Sequence, residues 1–142
     1  MADITVTAAK VAVVYPTKAE IYDFITGVTV TAGQCVYLVA STGKLALADS
    51  GAASTSQPRG IALTGGAAGQ AISVLKRGHV YGYTLDGVTT IDQIVYVSGA
   101  VAGALATATS GTSSYVGRAT VLPDNDLTDV LYVNCDWLRT WA

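Results

Sequence analysis

The chain has 142 residues, and a chain of this length can bury a hydrophobic core without help from a metal ion or a disulfide. Only 13% of its residues are charged, 51% are hydrophobic, the net charge is −2 and the basic residues are scattered, so it lacks the basic stripe of a nucleic-acid-binding protein. It also lacks a secretory signal and any run of about 18 apolar residues that could cross a membrane as a helix. We therefore expect a protein made in the cytoplasm that binds neither nucleic acid nor membrane.

Short β-strands are predicted along most of the chain. Apolar and β-branched residues alternate or cluster in short runs, and Gly, Asn, Asp or Ser separates nearly every run from the next. The predicted strands are residues 4–7, 28–31, 35–39, 45–48, 60–63, 71–75, 79–83, 94–97, 104–107, 116–121 and 130–133. Evidence for helix is thin, and residues 17–24 offer one short turn at most. The pattern predicts an all-β fold, a small sandwich or barrel.

An internal repeat divides most of the chain. The pattern Gln34-x-Val36-Tyr37 recurs 59 positions later at Gln93, and in both places a glycine turn, a strand, a Ser/Thr/Gly-rich loop and two further strands follow. We interpret this as two similar β half-units, residues 28–87 and 88–142, preceded by a separate N-terminal segment, residues 1–27. The alternatives left open are one sandwich or two small barrels, or a chance likeness between short hairpins.

The N-terminal segment contains an apolar run next to a proline. Val11, Val13, Val14 and Tyr15 precede Pro16. Such a run either docks on its own domain as an edge strand or reaches a neighbouring molecule as an extended arm. In the second case these four residues are the predicted interface anchors.

The C-terminal tail is rich in the residues that protein interfaces favour. Trp137, Arg139 and Trp141 lie within five positions of one another, and two indole rings left in water are costly. The tail therefore either folds back onto the body or enters an interface. Folding back is the slightly preferred alternative.

The residues that carry most enzyme chemistry are few and scattered. His79 is the only histidine, and Cys35 and Cys135 are 100 positions apart with no CxxC or Cys/His cluster around either. The cluster Asp124-Asn125-Asp126 lacks the glycine and the distant glutamate of an EF-hand calcium loop. The glycine-rich residues 65–69 join two predicted strands, which favours a hairpin over a phosphate loop. We expect no catalytic site, no metal site and no cofactor.

The order of these features resembles a known family. Residues 11–24 (VAVVYPTKAEIYDF), 31–50 (TAGQCVYLVASTGKLALADS) and 58–80 (PRGIALTGGAAGQAISVLKRGHV) follow one another as they do in the capsid decoration, or cement, proteins of tailed bacteriophages. The resemblance extends over residues 11–133. Each element alone is an ordinary β-hairpin, and the ordered set carries the likeness.

The resemblance implies a β-rich, non-enzymatic protein without a cofactor. Such proteins are often trimers on the outside of the expanded virion head, where they bind the major capsid protein and bridge neighbouring subunits. Residues 2–16 would then be the arm that contacts the shell. Two other functions remain open: another virion component, such as a head-fibre base or tail protein, and a carbohydrate-binding β-sandwich with tyrosine and tryptophan as stacking platforms.

Overall fold

The computed structural model describes residues 3–85, 92–109, 114–120 and 130–138. In these ranges the chain forms short 3-10 turns and eleven β-strands but no α-helix, so the all-β prediction is confirmed. No helix in these ranges is long and apolar enough to cross a membrane. The strands are β1 (Asp3–Ile4), β2 (Ala12–Val14), β3 (Glu20–Ile25), β4 (Cys35–Val39), β5 (Lys44–Leu47), β6 (Gly60–Ala62), β7 (Ala71–Tyr81), β8 (Ile94–Val97), β9 (Leu105–Ala106), β10 (Tyr115–Thr120) and β11 (Val130–Asn134).

Three local expectations are corrected. The helical turn after Tyr15 is limited to the 3-10 turn Pro16–Lys18, because the next residues pair with β7 as strand β3. The strands expected at 71–75 and 79–83 are one eleven-residue strand, since Gly78 continues the strand with a φ of 145°. Residues 28–31 contribute only an isolated bridge, from Val30 to Gly66.

The first barrel is a ring of five strands around a small apolar core. Strands β3, β7, β6, β4 and β5 pair in this order, each antiparallel to the next. The ring closes where Thr26 forms a parallel bridge to Leu45 and the Gly27 N–H donates to the Leu45 carbonyl at 2.9 Å. The buried side chains inside are Val30, Val36, Leu45, Ala62, Ile72 and Val74.

The second barrel shares strand β7 with the first. Strands β7, β11, β10, β8, β9 and β1 pair in this order. The segment after β1 then returns to the end of β7: the Thr7 N–H donates to Gly82 O, and the Thr84 N–H donates to Thr5 O, both at 2.8 Å. A larger buried cluster that includes residues of both half-units fills this barrel and the junction. The single eleven-stranded sheet thus curls back on itself in each half, which agrees with the predicted small sandwich or barrel.

The two half-units have the same strand order and the same register. In each, the first strand pairs with the second and the third, and the third pairs with the fourth. Repeat-equivalent residues even face equivalent partners. The equivalent pairs are Val36↔Gly60 and Val95↔Gly117, Ile61↔Leu75 and Arg118↔Tyr132, and Tyr37↔Ala46 and Tyr96↔Ala106. The repeat seen in the sequence is thus a repeat of structure.

The described part of the N-terminal segment belongs to both barrels. Strand β1 pairs with β9, and β2 and β3 pair with successive parts of β7. Ile4 is buried in the larger core. The segment predicted as residues 1–27 therefore docks on its own domain, which is the first of the two alternatives and not the free arm.

Candidate functional site

A row of side chains crosses five strands on the outside of the second barrel. Val14, His79, Tyr132, Arg118 and Ile94 lie directly opposite one another, on β2, β7, β11, β10 and β8 in turn. Residues that face each other across antiparallel strands project from the same side of the sheet. Side chains of five strands therefore form one continuous surface.

The neighbouring row shows which side is the outside. Val80, Leu131 and Ala119 face one another one position further along, and all three are buried. Successive residues of a strand point to opposite faces, so the row with His79 and Tyr132 points away from the core.

Three more tyrosines extend this surface. Tyr96 and Tyr115 are cross-strand partners with ring centroids 5.8 Å apart, and the ring of Tyr15 meets His79 edge-on at 6.0 Å. His79 in turn contacts Tyr132 at 5.0 Å. Such aromatic contacts hold the rings in defined positions. We call the surface the tyrosine face, and its members are Val14, Tyr15, His79, Ile94, Tyr96, Tyr115, Arg118 and Tyr132.

Charge lies at the rim of the tyrosine face. Arg118 reaches Asp92 at 3.4 Å in an exposed ion pair, which is worth little in stability. The Lys18 ammonium lies 5.5 Å from the centre of the Tyr15 ring. Partial burial, together with the positive charge of Lys18, lowers the pKa of His79 below its ordinary value, so the imidazole is neutral at pH 7.

Three positions of the tyrosine face have buried equivalents in the first half-unit. In the first half-unit the equivalent positions are Cys35, Ile61 and Leu75, and each is 0% exposed. On the tyrosine face itself, Tyr115 is 46% exposed, Arg118 is exposed and the other six residues are half-buried. The equivalents of the three core residues are Ile94, Arg118 and Tyr132.

The predicted N-terminal interface residues separate into two groups. Val11 and Val13 pack against the larger buried core, so they stabilise the fold of their own chain. Val14 and Tyr15 lie on the tyrosine face. Only the second pair remains available as contact residues.

The C-terminal tail folds back onto the body at Trp137. The Trp137 indole N–H donates to the main-chain oxygen of Arg59 at 2.8 Å, and its ring lies 4.9 Å from that of Tyr22. The Arg59 guanidinium and the Lys76 ammonium lie over the ring at 5.1 and 5.3 Å. Arg139 and Trp141, the other predicted contact residues of the tail, lie outside the described residues.

Trp137 also forms one wall of a groove on the first barrel. The groove has a volume of about 490 Å³ and runs between the end of β4, the loop before β6 and the residues that follow β11. Its walls include Tyr37, Arg59 and Asp136. We call it the Trp137 groove.

The titratable groups of the core are neutral. Cys35 and Cys135 are buried free thiols in the same cluster, and burial raises the pKa of Cys135 to about 12 and that of Cys35 well above its ordinary value. Burial also raises the pKa of Tyr83, whose hydroxyl donates to the Gly33 carbonyl.

Among the described residues, no group of three or more His, Cys, Asp or Glu side chains could hold a metal ion. The cluster Asp124-Asn125-Asp126 lies outside them.

Most residues of the tyrosine face are not predicted from the sequence as contact residues. His79 is a lone histidine outside any catalytic or metal-binding motif, and Tyr96 stands out in the sequence only as part of the repeat that begins at Gln93. A signal was present, because Tyr96, Arg118 and Tyr132 stand at polar or aromatic positions that alternate with small apolar ones. Assigning these residues to one surface required the pairing of β8, β10 and β11.

No protein-family model, curated protein or solved structure matches this chain. The candidate surfaces therefore stand on the geometry described above.

Proposed function

We propose that this protein is a structural component of a bacteriophage virion that binds the outside of the expanded head and bridges neighbouring capsid subunits. The tyrosine face makes the contact with the major capsid protein in this proposal. The ordered likeness of residues 11–133 to phage decoration proteins supports the class of partner. The observation that carries the choice of surface is that three of its positions, Ile94, Arg118 and Tyr132, have equivalents in the first half-unit that are buried in the protein core.

The composition of the tyrosine face suits burial against another protein. Tyrosine and arginine are enriched in protein interfaces, because they offer large contact areas together with a polar group. The backbone beneath them is a paired five-strand sheet, so little backbone freedom is lost on binding. A contact that is weak for one copy becomes strong when linked copies bind a repeating lattice. We therefore also propose a homo-oligomer, with a trimer favoured.

Binding to capsids tests this proposal. The purified protein is mixed with expanded, emptied heads and with compact precursor heads of the same phage, and the bound fraction is measured by sedimentation. We expect binding to the expanded heads only. Failure of the wild-type protein to bind expanded heads would remove the proposed function.

A matched pair of variants tests the surface. Tyr115→Arg places a charge on the tyrosine face and should weaken binding by about tenfold or more, because burying an unpaired charge is costly. Ile25→Arg is the control, since Ile25 is 42% exposed on the first barrel against 46% for Tyr115. Equal binding by both variants would place the contact on another surface.

A further inference from the structure

The Trp137 groove lies apart from the tyrosine face and shares none of its residues. Its volume of about 490 Å³ is within the range of small-molecule sites, roughly 300–1,000 Å³. The residues on which the following argument depends are Tyr37, Arg59, Asp136 and Trp137.

The aromatic walls of the groove are held in place. Trp137 is fixed by its hydrogen bond to Arg59 O and by ring contacts with Tyr22 and Phe24 at 4.9 and 5.9 Å. Tyr37 is half-buried on β4 and packs against the larger core. Rigid rings of this kind offer an apolar surface at little cost in conformational entropy.

The polar walls offer both donors and acceptors. The Arg59 guanidinium lies 5.1 Å from the centre of the Trp137 ring, and Arg59 also lines the groove. Asp136 accepts the Leu138 N–H at one carboxylate oxygen, Oδ1, at 3.0 Å. Within the described residues, neither Arg59 nor Asp136 forms an ion pair. Five guanidinium donors and a carboxylate with spare acceptor sites thus belong to one groove.

The charges select among ligands. The Asp136 carboxylate would repel an anion in the groove. The Arg59 guanidinium would repel a cation, and so would the Lys76 ammonium, which lies close to Trp137. A neutral polyhydroxyl compound avoids both repulsions. Its hydroxyls donate to a carboxylate and accept from a guanidinium, while its C–H face packs against an aromatic ring.

We propose that the Trp137 groove binds a neutral saccharide. Arg59 and Asp136 hydrogen-bond adjacent hydroxyls, and Tyr37 packs against the apolar face of the sugar ring. This site is independent of capsid binding, because it lies on the first barrel and the tyrosine face lies on the second.

Tryptophan fluorescence tests the proposal. The chain has two tryptophans, so in a Trp141→Phe background the emission comes from Trp137 alone. This protein is titrated with chitotriose, cellotriose, maltotriose and galactotriose. We expect a saturable change in emission with at least one of them. No saturable change with any of the four would overturn the proposal.

Two variants locate the site. Asp136→Asn keeps the acceptor for Leu138 N–H but removes the charge, and it should weaken binding by about tenfold. Tyr37→Ala should weaken it as well, and Tyr115→Ala on the tyrosine face should leave it unchanged. Because Asp136 is exposed, its variant keeps the fold even if the Tyr37 variant does not. Unchanged affinity in Asp136→Asn would overturn the proposal.

Discussion

The indole nitrogen of Trp137 and the main-chain oxygen of Arg59 are joined by a hydrogen bond of 2.8 Å. Trp137 follows the last strand of the second half-unit, whereas Arg59 immediately precedes strand β6 of the first. The bond therefore ties the end of one half-unit to the other, beside the strand that the two barrels share.

Removing this bond should destabilise the protein measurably. Trp137→Phe keeps an aromatic ring but leaves the Arg59 carbonyl without its donor, and we expect a loss of about 1 kcal/mol in the free energy of unfolding. Trp137→Ala also removes the contacts with Tyr22 and Phe24, and should cost about 2–4 kcal/mol. Urea unfolding followed by circular dichroism measures both. Leu138→Ala, at a position 95% exposed, is the control and should change stability by less than about 0.5 kcal/mol. A Trp137→Phe variant with the same free energy of unfolding as the wild type would show that the hydrogen bond does not contribute to stability.

Two repeat-equivalent glycines should be intolerant of a side chain. A Cβ atom at Gly60 would overlap the Leu75 carbonyl oxygen, and one at Gly117 would overlap the Tyr132 carbonyl oxygen. Each alanine variant must therefore separate paired strands, and we expect a loss of about 3 kcal/mol or more, or failure to fold.

The matched glycine control is Gly27. Its added Cβ would meet the Lys44 Cβ at 3.4 Å, the Leu45 carbonyl oxygen at 3.5 Å and the Lys44 Cδ at 3.8 Å, all ordinary contact distances. Gly27→Ala should change the melting temperature by no more than a few degrees, about 1 kcal/mol in free energy. Comparable melting temperatures for all three alanine variants would contradict the close approach of the strands.

Deleting residues 2–16 should unfold the second barrel. The deletion removes β1 and β2, and with them Ile4 from the core and the pairing of Val13 with Val80. We expect loss of the cooperative thermal transition, because the second barrel loses two of its strands and its core residues become exposed to water. Tyr15→Ala in the full chain should keep a transition close to that of the wild type. A truncated chain with wild-type stability would mean that the segment is a detachable arm.

Alkaline pH should destabilise the fold through the buried thiols. Burial raises the pKa of Cys135 from its ordinary value of 9.0 to about 12, and raises that of Cys35 as well. Above pH 9 the unfolded chain therefore loses thiol protons that the folded chain retains. The stabilising effect of the buried, protonated Cys135 thiol is fully present below pH 9. Between about pH 9 and 12 it should lower the free energy of unfolding by up to about 1.4 kcal/mol per pH unit. Cys35 changes the free energy of unfolding in the same direction.

Cysteine variants separate this effect from other alkaline titrations. In the double variant Cys35→Ala, Cys135→Ala, stability at pH 7 is lower because two buried sulfurs are lost, but its decline from pH 9 to 11 should be shallower than in the wild type. Urea unfolding at several pH values measures both slopes. Equal slopes would show that the thiols ionise as readily in the folded as in the unfolded chain.

The sequence by itself determined the class of structure and the division into half-units. Strand positions follow from local alternation, and the hairpin at residues 65–69 follows from its glycines, because both are decided by residues close together in the chain. The repeat of Gln34-x-Val36-Tyr37 at Gln93 likewise needed no partner to be seen. Val14 and Tyr15 are the part of the candidate contact surface that this local information identified.

Only the tertiary structure decided which strands close each barrel and which face of each half-unit is left open. Strand β7 serves both barrels because β3 and β2 pair along one edge while β6 and β11 pair along the other. Of these partners, β2, β3 and β11 are far from β7 in the sequence. Alternation shows that a strand has two faces but not what lies against each of them. Leu75 and Tyr132 occupy equivalent positions in the repeat, yet Leu75 is in the core and Tyr132 is on the surface. Their difference arises because long-range packing covers that face in the first half-unit and leaves it open in the second.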